Sequence, residues 1–183
     1  MKSRRALFLD KDGVINIDHG YVCTPERTDF IDGIFEVCQA ATRQGFLNVV
    51  ITNQAGIARG FYTEQDFLAY MEWVRGEFRR RGAQIDAVYF CPHHPEYGRG
   101  EYLLRCECRK PKPGMLFRAA SDLGIDLSES VLLGDTASDV AAGEAAGVGV
   151  CIGLPPAQPG ETEATALDDA SVLGVLRALQ RTE

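Results

Sequence analysis

Five short apolar runs, separated by stretches of helical periodicity, constrain this chain more than any other feature. Ala6-Leu-Phe-Leu, Leu47-Asn-Val-Val-Ile, Ala87-Val-Tyr-Phe, Val131-Leu-Leu and Val148-Gly-Val-Cys-Ile are short and largely continuous in hydrophobicity, the mark of strands buried on both faces. Helices are predicted at residues 32–44, 63–81, 113–123, 138–146 and 170–179. The second is the clearest: Phe67, Met71, Val74 and Phe78 recur on one face, Thr63 suits the N-cap, and Gly82 follows the last turn. Strand and helix in alternation imply an α/β doubly wound fold, a parallel sheet covered by helices on both sides.

The 183 residues suffice for one sizeable core, so residues 1–183 are expected to form a single domain. With 26 acidic against 19 basic side chains the net charge is -7, which argues against nucleic acid or an anionic membrane as partner. The basic start, Met1-Lys-Ser-Arg-Arg, precedes only four apolar residues before Asp10, too few for a signal-peptide core, and no apolar run approaches a membrane span. A cytoplasmic location is expected. In that reducing compartment the six cysteines are read as thiols: Cys23, Cys38 and Cys151 as packing residues, Cys91, Cys106 and Cys108 as a cluster. Two segments break the alternation. Residues 91–113, rich in Pro, Gly, Cys and charge, need a local device to order them, and residues 153–169 read as a surface loop without chemistry.

Chemistry gathers at the ends of the apolar runs, where ligands bind in open α/β sheets. The first run ends in Asp10-Lys-Asp12-Gly13, two carboxylates one residue apart before a turn-forming Gly, and the fourth in Gly134-Asp135 with Asp139 four residues on. Such acids suit an oxygen-ligated Mg2+, although Asp139 reads equally as a helix cap. Thr52-Asn53-Gln54 ends the second run with groups able to donate to phosphoryl oxygens, and Arg109-Lys110-Pro-Lys112-Pro sets three cations in a stiffened stretch before a helix.

In chain order these residues resemble the haloacid dehalogenase superfamily of aspartate-dependent phosphohydrolases, whose motifs match as Asp10 and Asp12, Thr52, Lys110, and Gly134-Asp135 through Asp139. The resemblance implies that Asp10 is a nucleophile forming an aspartyl-phosphate and that Asp12 is the general acid and base. Thr52 and Lys110 would hold phosphoryl oxygens, and Asp10, Asp12 and Asp135 would hold Mg2+, Asp12 through its backbone carbonyl.

Cys91, His93, His94, Cys106 and Cys108 offer three thiolates and two imidazoles, a set suited to a closed, structural Zn2+ that would order the segment and fix the adjacent Arg109 and Lys110. The loop is similar to that of the zinc-binding branch containing the heptose bisphosphate and histidinol-phosphate phosphatases. Asp18-His19-Gly20-Tyr21, Thr52-Asn53-Gln54 leading into Gly56-Ile57-Ala58-Arg59-Gly60, Cys91-Pro-His93-His94-Pro and Cys106-Glu-Cys108-Arg109-Lys110-Pro carry the likeness and favour the heptose side. It implies zinc on Cys91, His93, Cys106 and Cys108. It also implies a substrate site built from Asp18, His19, Gly20, Tyr21, Thr52, Asn53, Gln54, Ala55, Arg109 and Lys110. The implied reaction is removal of the C7 phosphate from a heptose 1,7-bisphosphate by a monomer whose only partner is its small phosphorylated sugar. The alternative is a histidinol-phosphate phosphatase or another small sugar phosphatase, and a catalytically silent zinc-binding interaction module is the alternative of a different class. Thr136 departs from the pattern, since some relatives carry Lys there, and the chain has no room for a large cap domain.

Overall fold

The computed structural model describes residues 3–155 and 169–180. Strands β1 (Arg5–Leu9), β2 (Phe46–Asn53), β3 (Ala87–Cys91), β4 (Val131–Gly134) and β5 (Val150–Gly153) form one sheet in the order β3-β2-β1-β4-β5. All pairs are parallel, with Leu7 of β1 beside Asn48 on one side and Val131 on the other. The chain steps outward from β1 to β3, then returns across to β4 and β5. That reversal opens a crevice at the carboxyl ends of β1 and β4.

The helices are α1 (Ile34–Arg43), α2 (Ala55–Arg59), α3 (Glu64–Arg80), α4 (Gly114–Leu123), α5 (Ala137–Ala146) and α6 (Asp169–Gln180). Because side chains alternate across a strand, the apolar residues 6–9 of β1 feed two cores. Leu7 and Leu9 pack with Phe67, Met71, Val74 and Phe78 of α3 and with residues of α1 and α6. Ala6 and Phe8 face the other way, against Met115 and Leu116 of α4 and Ala142 of α5. The doubly wound α/β expectation is therefore realised.

Most boundaries agree with the predicted ones to within one or two residues, and one helix is new. The first helix starts at Ile34 rather than residue 32, because Gly33 enters it at φ 85°, outside helical space. The last strand begins at Val150 rather than Val148. Helix α2 is too short to announce itself by periodicity. Thr63 caps α3 as expected, its hydroxyl accepting from Asp66 N while Asp66 accepts from Thr63 N, a capping box. Of the predicted 153–169 loop, residues 156–168 lie outside the described residues. No helix among the described residues is long and apolar enough to cross a membrane.

Candidate active site

Parallel pairing brings the ends of β1, β2 and β4 side by side, so Asp10, Thr52 and Asp135 converge without long-range loop placement. Asp10 is tied to the neighbouring strand through its N–H, which donates to Leu133 O at 3.1 Å. Gly13, at φ 91°, makes the turn that follows, and a Cβ there would overlap the Asp135 carboxylate. A cleft of about 410 Å³ opens over these ends, lined among others by Asp10, Asp12, Thr52, Gln54, Lys110 and Asp135.

Lys110 is 4% exposed, and its ammonium is the hub of the cleft. Nζ donates to Ile51 O at 2.9 Å and lies 2.9 Å from Asp10 Oδ1 and 2.6 Å from Asp139 Oδ1. Its backbone is clamped by Asn53, whose Oδ1 accepts from Lys110 N at 3.0 Å and whose Nδ2 donates to Lys110 O at 3.2 Å. Asn53 thus fixes the basic segment to the end of β2. Asp139 also accepts from Thr136 N at 3.0 Å and from the Thr136 hydroxyl at 2.6 Å, so this acid caps α5 and braces Lys110 together.

Electrostatics follow from burial. Burial pushes the Asp10 carboxyl up to about 6, with Lys110 opposing and Asp139 adding to the rise. Burial, and then the charges of Asp10 and Asp139, push Asp135 up to about 7. For Lys110 burial pulls downward, but the two carboxylates outweigh it and hold the ammonium above its ordinary range. Oxygens of Asp10, Asp135 and Asp139 lie within 4.8 Å of one another, and Asp135 Oδ1 is buried without a hydrogen-bond partner. Crowded, partly neutralised carboxylates with an orphaned oxygen fit a hard divalent cation such as Mg2+. Both oxygens of Asp139 are engaged, Oδ1 by Lys110 and Oδ2 by Thr136, whereas the contacts of Asp10 with Lys110 and with Lys11 N fall on Oδ1 and Asp135 Oδ1 is unpartnered, so Asp10 and Asp135 are the better placed to donate to a cation.

Sulfur and nitrogen donors gather at the end of β3. The Sγ atoms of Cys91, Cys106 and Cys108 are 3.2 to 3.5 Å apart, and His93 Nδ1 lies 3.7 Å from Cys91 Sγ and 3.4 Å from Cys108 Sγ. These edges approach the roughly 3.8 Å expected for a tetrahedron with 2.3 Å zinc–sulfur bonds. His94 turns away: its Nδ1 accepts from Glu96 N at 3.2 Å and Tyr97 N at 3.1 Å. The Cys3His set fits a closed zinc site two residues upstream of Lys110.

Of the anticipated substrate residues, Asp18, Gly20, Tyr21, Asn53, Gln54 and Ala55 line the cleft with Thr52 and Lys110. Two do not. His19 Nε2 is 2.8 Å from Asp29 Oδ2 at the surface, and Arg109 Nη1 donates to His93 O at 3.2 Å, bracing the zinc loop. Tyr62, which no motif marked, lines the cleft and donates to Gln54 Oε1 at 2.7 Å. Gln54 passes the restraint on, donating to Thr52 Oγ1 at 2.8 Å. A larger groove of about 860 Å³ lies beyond Tyr21 and Tyr62, lined by Phe61, Tyr70 and Trp73, and holds neither the acid cluster nor Lys110.

Residues 107–154 match the HAD-hydrolase-like family. The chain is 53% identical over 148 residues to a D-glycero-alpha-D-manno-heptose-1,7-bisphosphate 7-phosphatase of Burkholderia mallei, covering 81% of this chain and 78% of that one. It is 47% identical over 172 residues to the beta-anomer 7-phosphatase of Vibrio cholerae, covering 92% of each. The chain belongs to this phosphatase family. A solved member, the D,D-heptose 1,7-bisphosphate phosphatase of B. bronchiseptica complexed with magnesium and phosphate, superposes with a TM-score of 0.75 at 28% identity, over 97% of this chain and 99% of that one. Family membership, the Rossmann-like sheet and the acid-lined cleft agree with the motif resemblance.

Proposed function

We propose that residues 1–183 act as one Mg2+-dependent phosphatase domain that hydrolyses the C7 phosphate of D-glycero-D-manno-heptose 1,7-bisphosphate, working as a cytoplasmic monomer. The observation that carries this reading is the convergence of Asp10, Asp12, Thr52, Lys110 and Asp135 in one cleft whose rim is the Asp18–Tyr21 loop. Mg2+ held by Asp10, Asp135 and the Asp12 backbone carbonyl would supply countercharge to the phosphoryl oxygens and the attacking carboxylate.

In the first step a carboxylate oxygen of Asp10 attacks phosphorus, the bond from phosphorus to the C7 oxygen breaks, and Asp12 gives its proton to that oxygen. The C7 oxygen leaves as a neutral hydroxyl on the heptose 1-phosphate. In the second step Asp12 removes a proton from water, the resulting hydroxide attacks phosphorus, and Asp10 is released as carboxylate. Thr52 and Lys110 hold the equatorial oxygens through both steps, and Gln54 keeps the Thr52 hydroxyl aimed. Phosphorus NMR during turnover tests the regiochemistry: the C7 monoester resonance must be replaced by inorganic phosphate while the anomeric phosphate persists. Loss of the anomeric resonance instead contradicts the reading.

A further inference from the structure

Lys11 stands between the two catalytic carboxylates yet is 0% exposed and does not line the cleft. Its ammonium lies 2.5 Å from Asp12 Oδ1, donates to Asn16 Oδ1 at 3.2 Å and Val22 O at 3.0 Å, and sits 5.2 Å from the centre of the Tyr70 ring. Asn16 Nδ2 also donates to Asp12 Oδ1, at 3.0 Å. Oδ1 is therefore held by two donors on the buried side, while Oδ2 is left toward the cleft, with Gln54 Nε2 at 3.4 Å.

Burying an ammonium is a poor way to stabilise a turn, since a well-packed apolar side chain commonly does as well or better. What an apolar residue cannot do is grip one oxygen of a carboxylate. We propose that Lys11 is a positioning residue: it pins Asp12 so that only Oδ2 is presented for proton transfer, and through Val22 O it anchors that carboxylate to the end of the Asp18–Tyr21 loop. The acid and the surface that orients the sugar are thus set by one buried cation. This rests on the role given to Asp12 above.

Leaving-group dependence tests it. A heptose alkoxide needs a proton to depart and p-nitrophenolate does not, and kcat/KM reports steps only through formation of the phosphoenzyme. Lys11→Met is expected to lower kcat/KM for the heptose bisphosphate roughly tenfold to hundredfold while changing that for p-nitrophenyl phosphate less than about threefold. Asn16→Ala, which removes the second clamp and keeps the cation, is expected to show the same selectivity more weakly, and it carries the test if Lys11→Met does not fold. Equal losses on both substrates, or unchanged kinetics on both in a folded variant, overturn the proposal. Asp12→Asn serves as reference. If it shows the selective loss and the Lys11 and Asn16 variants do not, only the positioning role falls; if it shows none, the acid role of Asp12 falls as well.

Discussion

Only Arg109 separates Cys108 from Lys110, yet each belongs to a different cluster: Cys108 Sγ lies 3.2 Å from the sulfurs of Cys91 and Cys106, and Lys110 Nζ lies 2.9 Å from Asp10 Oδ1. A metal that orders the first cluster therefore sets the position of the second. Removing zinc, by a chelator or by Cys106→Ser, is expected to lower kcat/KM by about 10- to 100-fold even when Mg2+ is restored in excess. Full recovery with Mg2+ alone would contradict the coupling; recovery on adding Zn2+ supports it.

Acid pH and Mg2+ should act on one pair of groups. In the metal-free protein Asp10 is raised to about 6 and Asp135 to about 7 from an ordinary 3.8, so the folded state holds protons that the unfolded chain has released. Their contribution to stability is fullest below about pH 4 and declines as pH rises toward 7. Mg2+ offsets that decline, and protons compete with it. The rise in Tm on adding Mg2+ is expected to be larger at pH 7.5 than at pH 5, and Asp135→Asn should raise the metal-free Tm at pH 7.5 while abolishing the Mg2+ response. Equal shifts at both pH values contradict this.

Lys110 faces two buried carboxylates, so Lys110→Met leaves Asp10 and Asp139 without countercharge. A loss of about 3–5 kcal/mol is expected at pH 7.5, read from urea midpoints. The loss should shrink at pH 5, where Asp10 takes up a proton. A pH-independent loss would point to packing rather than charge.

Arg59 links the segment that carries the Cys3His cluster to the Asp18–Tyr21 loop. Its guanidinium lies 4.4 Å from the Tyr97 ring centre and 5.8 Å from that of Tyr21, and Arg99 N donates to Ala58 O at 2.9 Å in the same contact. Arg59→Gln removes two cation–π contacts worth about 0.5–1 kcal/mol each at exposed sites. If the Asp18–Tyr21 loop binds the sugar as proposed, a few-fold rise in KM with kcat nearly unchanged is expected; a fall in kcat at constant KM would contradict a role confined to that loop.

Much of the site was legible because its key residues belong to local motifs. Asp10 and Asp12 follow one strand, Asp135 another, and Cys106-Glu-Cys108 leads directly into Arg109 and Lys110. What escaped depends on packing between distant segments. Tyr62 matters because Gly56 lacks a side chain that would otherwise overlap its ring. Lys11, read in sequence, is an ordinary charge between acids, and only the approach of Val22 and Tyr70 makes it a buried clamp. His19 went the other way: its motif suggested the cleft, but Asp29, ten residues on, holds its ring at the surface.

The most direct measurement compares kcat/KM for Mg2+-dependent phosphate release from the α and β anomers of D-glycero-D-manno-heptose 1,7-bisphosphate and from histidinol phosphate, with Asp10→Asn alongside. One of the bisphosphates is predicted to exceed histidinol phosphate by about a hundredfold or more, with turnover abolished in Asp10→Asn. A preference for histidinol phosphate would contradict the assigned substrate, and phosphate release surviving in Asp10→Asn would contradict the nucleophile.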